Sequence, residues 1–215
     1  EKKYRQDILD SFENTGVQLT AEKRARLKAI FDELAKIEQE YARNVRDNAE
    51  KLEFTPAELK GLPDSYITGL KKNEKGNYLL GFEYPEYRPF MELAESDDAR
   101  KRYQTAFTRR GTEKNLGLLK QAMDLRYEIA QLFGKKSYAE WVLQHRMAKD
   151  PATVNKFLSE VHATVAPLEK KEVQTLREFK AKTLKIPVEK AEINRWSEVY
   201  WSEKLRKGMD FCNFI

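Results

Sequence analysis

The sequence predicts a mostly α-helical fold, a bundle-like body of several helices with one short strand or hairpin near residues 77–83. Three observations predict it. Apolar residues recur at helical spacing over long stretches, most helix ends carry a capping residue or a Gly or Pro stop, and only one short aromatic and apolar run is framed by turn residues. With 215 residues and 11% aromatic side chains there is material for a real core, even though 35% of the residues are charged and the mean hydropathy is −0.77.

The opening Glu1-Lys2-Lys3-Tyr4 reads as the middle of a helix, and no initiator Met precedes it. A fragment of a longer protein is therefore expected. Leu27, Ile30, Phe31, Leu34, Ile37, Tyr41, Val45 and Leu52 lie at steps that keep one stripe of a helix apolar. A helix from about Thr20 to Leu52 follows. Thr55-Pro56-Ala57-Glu58 has the form of a capping box with Pro at the first helical position, and Gly61-Leu62-Pro63 stops the short helix it starts. Asn73-Glu74-Lys75-Gly76 has turn chemistry, and the run Asn77 to Glu83 is the one credible strand, ended by Pro85.

Helical punctuation returns after Tyr87. Ser96 is placed to cap a helix that Gly111 ends, and Thr112 to cap another that runs to Gly134 through Leu116, Leu119, Met123, Tyr127 and Ala130. Ser137-Tyr138-Ala139-Glu140 is a second capping box. Asp150-Pro151 starts a long helix whose stripe is Val154, Phe157, Leu158, Val161, Val165, Leu168, Leu176 and Phe179. Pro167 lies inside it and predicts a kink near 163–167 with the helix continuing beyond. Ser197 caps a last stretch toward Gly208. No linker marks a clean boundary, so residues 1–215 read as one helical segment with a possible division near 111–150.

A formal charge of +5 raises a polyanion partner as a possibility. The basic clusters Arg100-Lys101-Arg102, Arg109-Arg110 and Lys135-Lys136 are short and have acidic neighbours, so they read as solvated helix faces, and no nucleic-acid role is expected. No apolar run has the length of a membrane span, and no membrane partner is expected. Cys212 is the only cysteine, which excludes an internal disulfide and a thiolate metal cluster and suits a reducing, cytoplasmic setting.

A helical zinc peptidase needs His-Glu-x-x-His, two imidazoles one turn apart with a Glu to activate the metal-bound water, and the sequence has none. His145 and His162 are the only histidines and read as structural or surface residues, not ligands. The carboxylate pairs Glu38 and Glu40, Asp97 and Asp98, and Glu169 and Glu172 have the spacing of any charged helix. No Gly-rich phosphate loop or Gly-x-Ser-x-Gly elbow is present, and nothing brings Cys212 to either histidine. Trp196, Tyr200 and Trp201 read as core packing before base stacking or channel lining. No catalytic or metal residue is assigned, and the substrate-binding residues stay unknown.

The ordered set Leu125-Arg126-Tyr127-Glu128-Ile129-Ala130-Gln131-Leu132-Phe133-Gly134, Ser137-Tyr138-Ala139-Glu140 and Arg146-Met147-Ala148-Lys149-Asp150-Pro151 resembles the zinc oligopeptidase family of thimet oligopeptidase, oligopeptidase A and peptidyl-dipeptidase. Gly16-Val17-Gln18-Leu19, Glu58 to Pro63, Tyr84 to Met91, Phe157-Leu158, Ala166 to Glu169 and Trp196 with Tyr200 extend the resemblance along nearly the whole chain. It departs at Trp196-Ser197 and Tyr200-Trp201, where the family has Trp-Asp and two tyrosines.

The resemblance implies a two-lobed, mostly helical zinc metalloendopeptidase that hydrolyses short peptides in an enclosed channel. It implies further that this segment belongs to the N-terminal lobe and the approach to the catalytic domain. Zn²⁺ would be held by the parent enzyme beyond residue 215 and by no residue of this chain, which alone would be inactive. Its partners would be short peptides and the remainder of the peptidase, and apolar faces left uncovered would make the isolated chain self-associate. The competing expectation is a stand-alone helical interaction or scaffold module that has lost catalysis.

Overall fold

The computed structural model describes residues 1–212, with side chains as far as residue 208. The helices are α1 (Lys2–Asn14), α2 (Ala21–Arg46), α3 (Asp64–Thr68), α4 (Tyr84–Leu93), α5 (Asp97–Thr108), α6 (Thr112–Leu132), α7 (Tyr138–Leu143), α8 (Pro151–Leu184) and α9 (Glu198–Cys212). Strands β1 (Leu52–Phe54), β2 (Lys71–Lys72) and β3 (Tyr78–Leu80) form one small sheet. The fold is mostly α with a short sheet, as the sequence predicts. Two compact units are present: residues 1–47 with 111–164, and residues 48–110 with 165–215.

The first unit is organised by α2 against α6. Leu27, Ile30 and Leu34 of α2 meet Ala122 and Ile129 of α6, and Trp141 of α7 completes the buried cluster. Polar bonds run along both sides of that seam. Arg26 grips Glu128 with two parallel hydrogen bonds of 2.7 Å, Arg126 donates to Glu38 at 3.0 Å, and Asn44 Nδ2 donates to Asn115 Oδ1 at 2.9 Å. The Glu128 carboxyl is held below its ordinary range by the Arg26 hydrogen bonds.

Of the apolar residues that the sequence places along α6, only Ala130 is buried. Leu116, Leu119, Met123 and Tyr127 face outward, whereas the inner face is Asn115, Ala122, Ile129 and Ala130. The inner face is mostly small, and small residues let two helices approach closely. The cap is also one residue earlier than expected: Gly111, at φ +69, precedes the helix that Thr112 opens. A Cβ at Gly111 would lie 3.1 Å from the Asn44 carbonyl oxygen, so close approach and left-handed backbone both call for glycine.

The second unit centres on Phe54, Phe90 and Tyr103, whose ring centroids are 4.7 to 5.2 Å apart, with Leu59, Leu62, Leu80, Phe82 and Met91 around them. Burial of rings of this size stabilises by about 1.5–3 kcal/mol each. Burial also pushes the Tyr103 phenol well above its ordinary value, and it donates to the Gly81 carbonyl. The sheet order is β1-β3-β2, antiparallel throughout, with Leu52 opposite Leu80 and Phe54 opposite Tyr78. Leu52, expected on the α2 stripe, therefore begins a strand. The helix stops at Arg46, and Asn48 accepts the Glu50 N–H at 3.0 Å in a turn that redirects the chain. A smaller cluster of Leu176, Tyr200 and Trp201 joins α8 to α9.

Several expected ends are observed. Thr20 Oγ1 accepts the Lys23 N–H, Ser96 Oγ the Ala99 N–H at 3.2 Å, Ser137 Oγ the Glu140 N–H at 3.2 Å, and Asp150 Oδ1 the Thr153 N–H at 2.8 Å. Helix α8 runs unbroken through Pro167. Its expected stripe divides: Phe157, Leu158, Val161, Val165 and Leu168 are exposed, whereas Leu176 is buried with Phe179 packed beside it, and Ala181 is the other buried residue.

Candidate functional site

Helical spacing builds one polar cluster in the first unit. Asp10 and Glu13 stand three residues apart on α1 and so share a face. The turn after α7 delivers His145 to that face, with Nδ1 3.2 Å from Asp10 Oδ2 and Nε2 3.9 Å from Glu13 Oε2. Each carboxylate has its other oxygen occupied by an amide. Gln6 Nε2 donates to Asp10 Oδ1 at 2.7 Å, and Gln18 Nε2 donates to Glu13 Oε1 at 3.2 Å. Among the described residues this is the one group of His, Cys, Asp and Glu side chains close enough to share a metal ion. His162 is exposed on α8 and belongs to no such group.

A second polar centre lies within the other unit. Arg100, expected on a solvated face, is only 1% exposed. Its guanidinium donates to the Ala94 carbonyl, to the Trp196 carbonyl at 3.2 Å and to Asp97 Oδ1 at 2.7 Å, and it stacks 4.0 Å from the centroid of Tyr200. Burial pushes the guanidinium down from its ordinary value while Asp97 pulls it back. Trp196 Nε1 donates to the second Asp97 oxygen at 2.8 Å, so one carboxylate ties Arg100 to Trp196. The alternation of charges around Arg100 carried no sign of this. The signal that could have found it is Tyr103 and Ala99 beside Arg100, two small or aromatic residues on what is the buried face of α5.

The carboxylate pairs flagged by spacing do not act as pairs. Asp97 serves Arg100 and Trp196, and Glu38 accepts from Arg126. Glu169 and Glu172 line a groove of about 670 Å³ with Arg195 and Glu198 between α8 and α9. Tyr200 and Trp201 are buried core residues, 5.2 Å apart at their ring centroids, which agrees with the packing reading. The thiol of Cys212 lies outside the described side chains.

Comparison with known proteins supplies the context for both centres. The profile of Peptidase family M3 matches residues 90–209, more than half of the chain. The chain belongs to peptidase family M3. It is 30% identical over 210 residues to saccharolysin of Saccharomyces cerevisiae, an alignment covering 94% of this chain and 29% of that protein. It is 29% identical over 224 residues to oligopeptidase A of Escherichia coli, covering 97% of this chain and 32% of the relative. To the thimet-like oligopeptidase of Dictyostelium discoideum it is 29% identical over 182 residues, covering 84% of this chain and 27% of the relative. The chain thus spans about a third of the length of the curated relatives it matches.

A peptidase M3 catalytic zinc calls for two imidazoles from one helix turn and a carboxylate base. The donor set of the described residues does not fit it: His145 has two carboxylates for neighbours and no second histidine. No helix of the described residues is long and apolar enough to cross a membrane.

Proposed function

We propose that this segment is a non-catalytic part of a zinc-dependent oligopeptidase, supplying helices of the N-terminal lobe, the wall of a peptide channel and the approach to the catalytic domain. The parent protein hydrolyses short peptides in the cytoplasm, with its zinc held by residues outside this segment. One observation carries the reading: nearly the whole chain aligns with a part of saccharolysin and of oligopeptidase A, yet contains no His-Glu-x-x-His.

The exposed apolar faces support it. Phe157 is 62% exposed and Leu168 59%, on the same helix that carries Leu158, Val161 and Val165. Faces of this kind are covered in a stable protein, and the remainder of the peptidase is the cover proposed here. The test compares this chain with the longer gene product that contains it, on a short quenched fluorescent peptide. Hydrolysis by the longer product, lost on zinc chelation, with none by the 215-residue chain, is the expected result. Hydrolysis by the short chain overturns its non-catalytic role, and an inert longer product carrying the zinc motif overturns the peptidase reading.

A further inference from the structure

We propose that Asp10 and His145 form a binding site for a divalent first-row transition-metal ion, with Glu13 orienting the imidazole. It departs from the expectation that neither histidine ligates a metal. Two donors each roughly 2.0–2.1 Å from a tetrahedral Zn²⁺ stand about 3.3 Å apart. Asp10 Oδ2 and His145 Nδ1 are 3.2 Å apart, so an ion seats between them with little movement of either side chain.

The second nitrogen supplies the next step. A metal-bound imidazole donates its other ring N–H to a carboxylate or carbonyl, which fixes the ring and strengthens the ligand. Glu13 Oε2 lies 3.9 Å from Nε2, outside hydrogen-bond distance, and a small side-chain rotation would bring it into that role. With the ring N–H turned to Glu13, the Nδ1 lone pair points at a carboxylate oxygen, an arrangement that a cation between them completes.

The surrounding amides argue for orientation, beyond mere proximity. Gln6 holds Asp10 Oδ1 and Gln18 holds Glu13 Oε1, which leaves Oδ2 and Oε2 as the oxygens presented to the ring. One imidazole nitrogen and one carboxylate oxygen are a donor set suited to Zn²⁺, Ni²⁺ or Co²⁺ and poor for Ca²⁺, with water filling the remaining positions. Helix α1 buries no residue of its own. An ion here would pin it to the turn after α7.

The experiment titrates Zn²⁺ into the metal-free chain and follows the imidazole nitrogen resonances, for which His162 is an internal reference. The expected result is a saturable shift at His145 Nδ1 with His162 unmoved. Asp10→Asn should abolish saturation, and Glu13→Gln should weaken binding on the order of tenfold. Circular dichroism of each metal-free variant, matching the parent chain, separates loss of a ligand from loss of fold. No shift at His145, equal shifts at both histidines, or unchanged affinity in Asp10→Asn would each overturn the proposal.

Discussion

Asn44 donates its side-chain amide to Asn115 Oδ1, and Asn115 in turn donates to the Tyr41 carbonyl, so one buried asparagine on α6 bonds two successive turns of α2. Asparagine suits the position because it is short enough for close helix approach and offers both a donor and an acceptor. Asn115→Ala leaves the amide of Asn44 and the carbonyl of Tyr41 without these bonds. The expected cost is about 1–3 kcal/mol, read from the urea midpoint at unchanged slope.

Arg100 has more at stake. Arg100→Met keeps the bulk and removes every donor to the Ala94 and Trp196 carbonyls. A destabilisation of about 3 kcal/mol or more is expected, since breaking a buried charged network strands its partners. Arg100→Lys should recover only part, because a single ammonium cannot reproduce the planar fork that serves three acceptors. Full recovery by lysine would show that charge alone, and not the fork, is what the site needs.

Two glycines separate steric demand from backbone demand. At Gly61, φ +96, a Cβ would lie 2.3 Å from the Leu93 carbonyl oxygen, so Gly61→Ala should cost more than about 2 kcal/mol. At Gly134, φ +67, nothing lies within 4 Å, so Gly134→Ala should cost about 1 kcal/mol from the left-handed backbone alone. Parallel thermal melts of the two variants compare them directly.

Glu58 links stability to acid. Burial would raise its carboxyl, but the hydrogen bonds from Thr55 and the charge of Arg102 outweigh it and hold the group below the ordinary 4.5. Above that ordinary value the stabilisation is fully present. It is lost as pH falls through the depressed folded value. Glu58→Gln should therefore lower stability at neutral pH and flatten its decline between about pH 5 and pH 3. An acid limb as steep as that of the parent chain counts against the role given to Glu58.

These positions differ in how legible they are from sequence. Helix beginnings could be read because Ser96, Ser137 and Asp150 act through bonds three residues away, a local matter that spacing encodes. Which face of a helix is buried is decided by what lies across from it. On α6 the larger apolar residues Leu116 and Met123 define a stripe, yet α2 meets the smaller set of Asn115, Ala122 and Ile129. Arg100 eluded reading for the same reason, since its acceptors Ala94 and Trp196 are backbone carbonyls that no side-chain pattern announces. Strand β1 was hidden because Leu52 happens to fit the helical period that precedes it. The cluster of Asp10, Glu13 and His145 went unread: spacing can place two carboxylates on one face of a helix, but the approach of His145 from a distant turn is purely tertiary.

The seam of α2 and α6 joins two stretches of chain separated by residues 48–110. For a folding chain, this is a long loop to close, and its entropic cost grows with the logarithm of the intervening length. That intervening stretch carries its own aromatic centre in Phe54, Phe90 and Tyr103, so its collapse draws the ends of the loop together before α6 has to find α2. Pulse-labelled hydrogen exchange would detect this order as protection at Leu80 and Phe90 no later than at Ile30 and Ile129. The insertion that splits one unit in sequence thereby shortens the loop that this unit has to close.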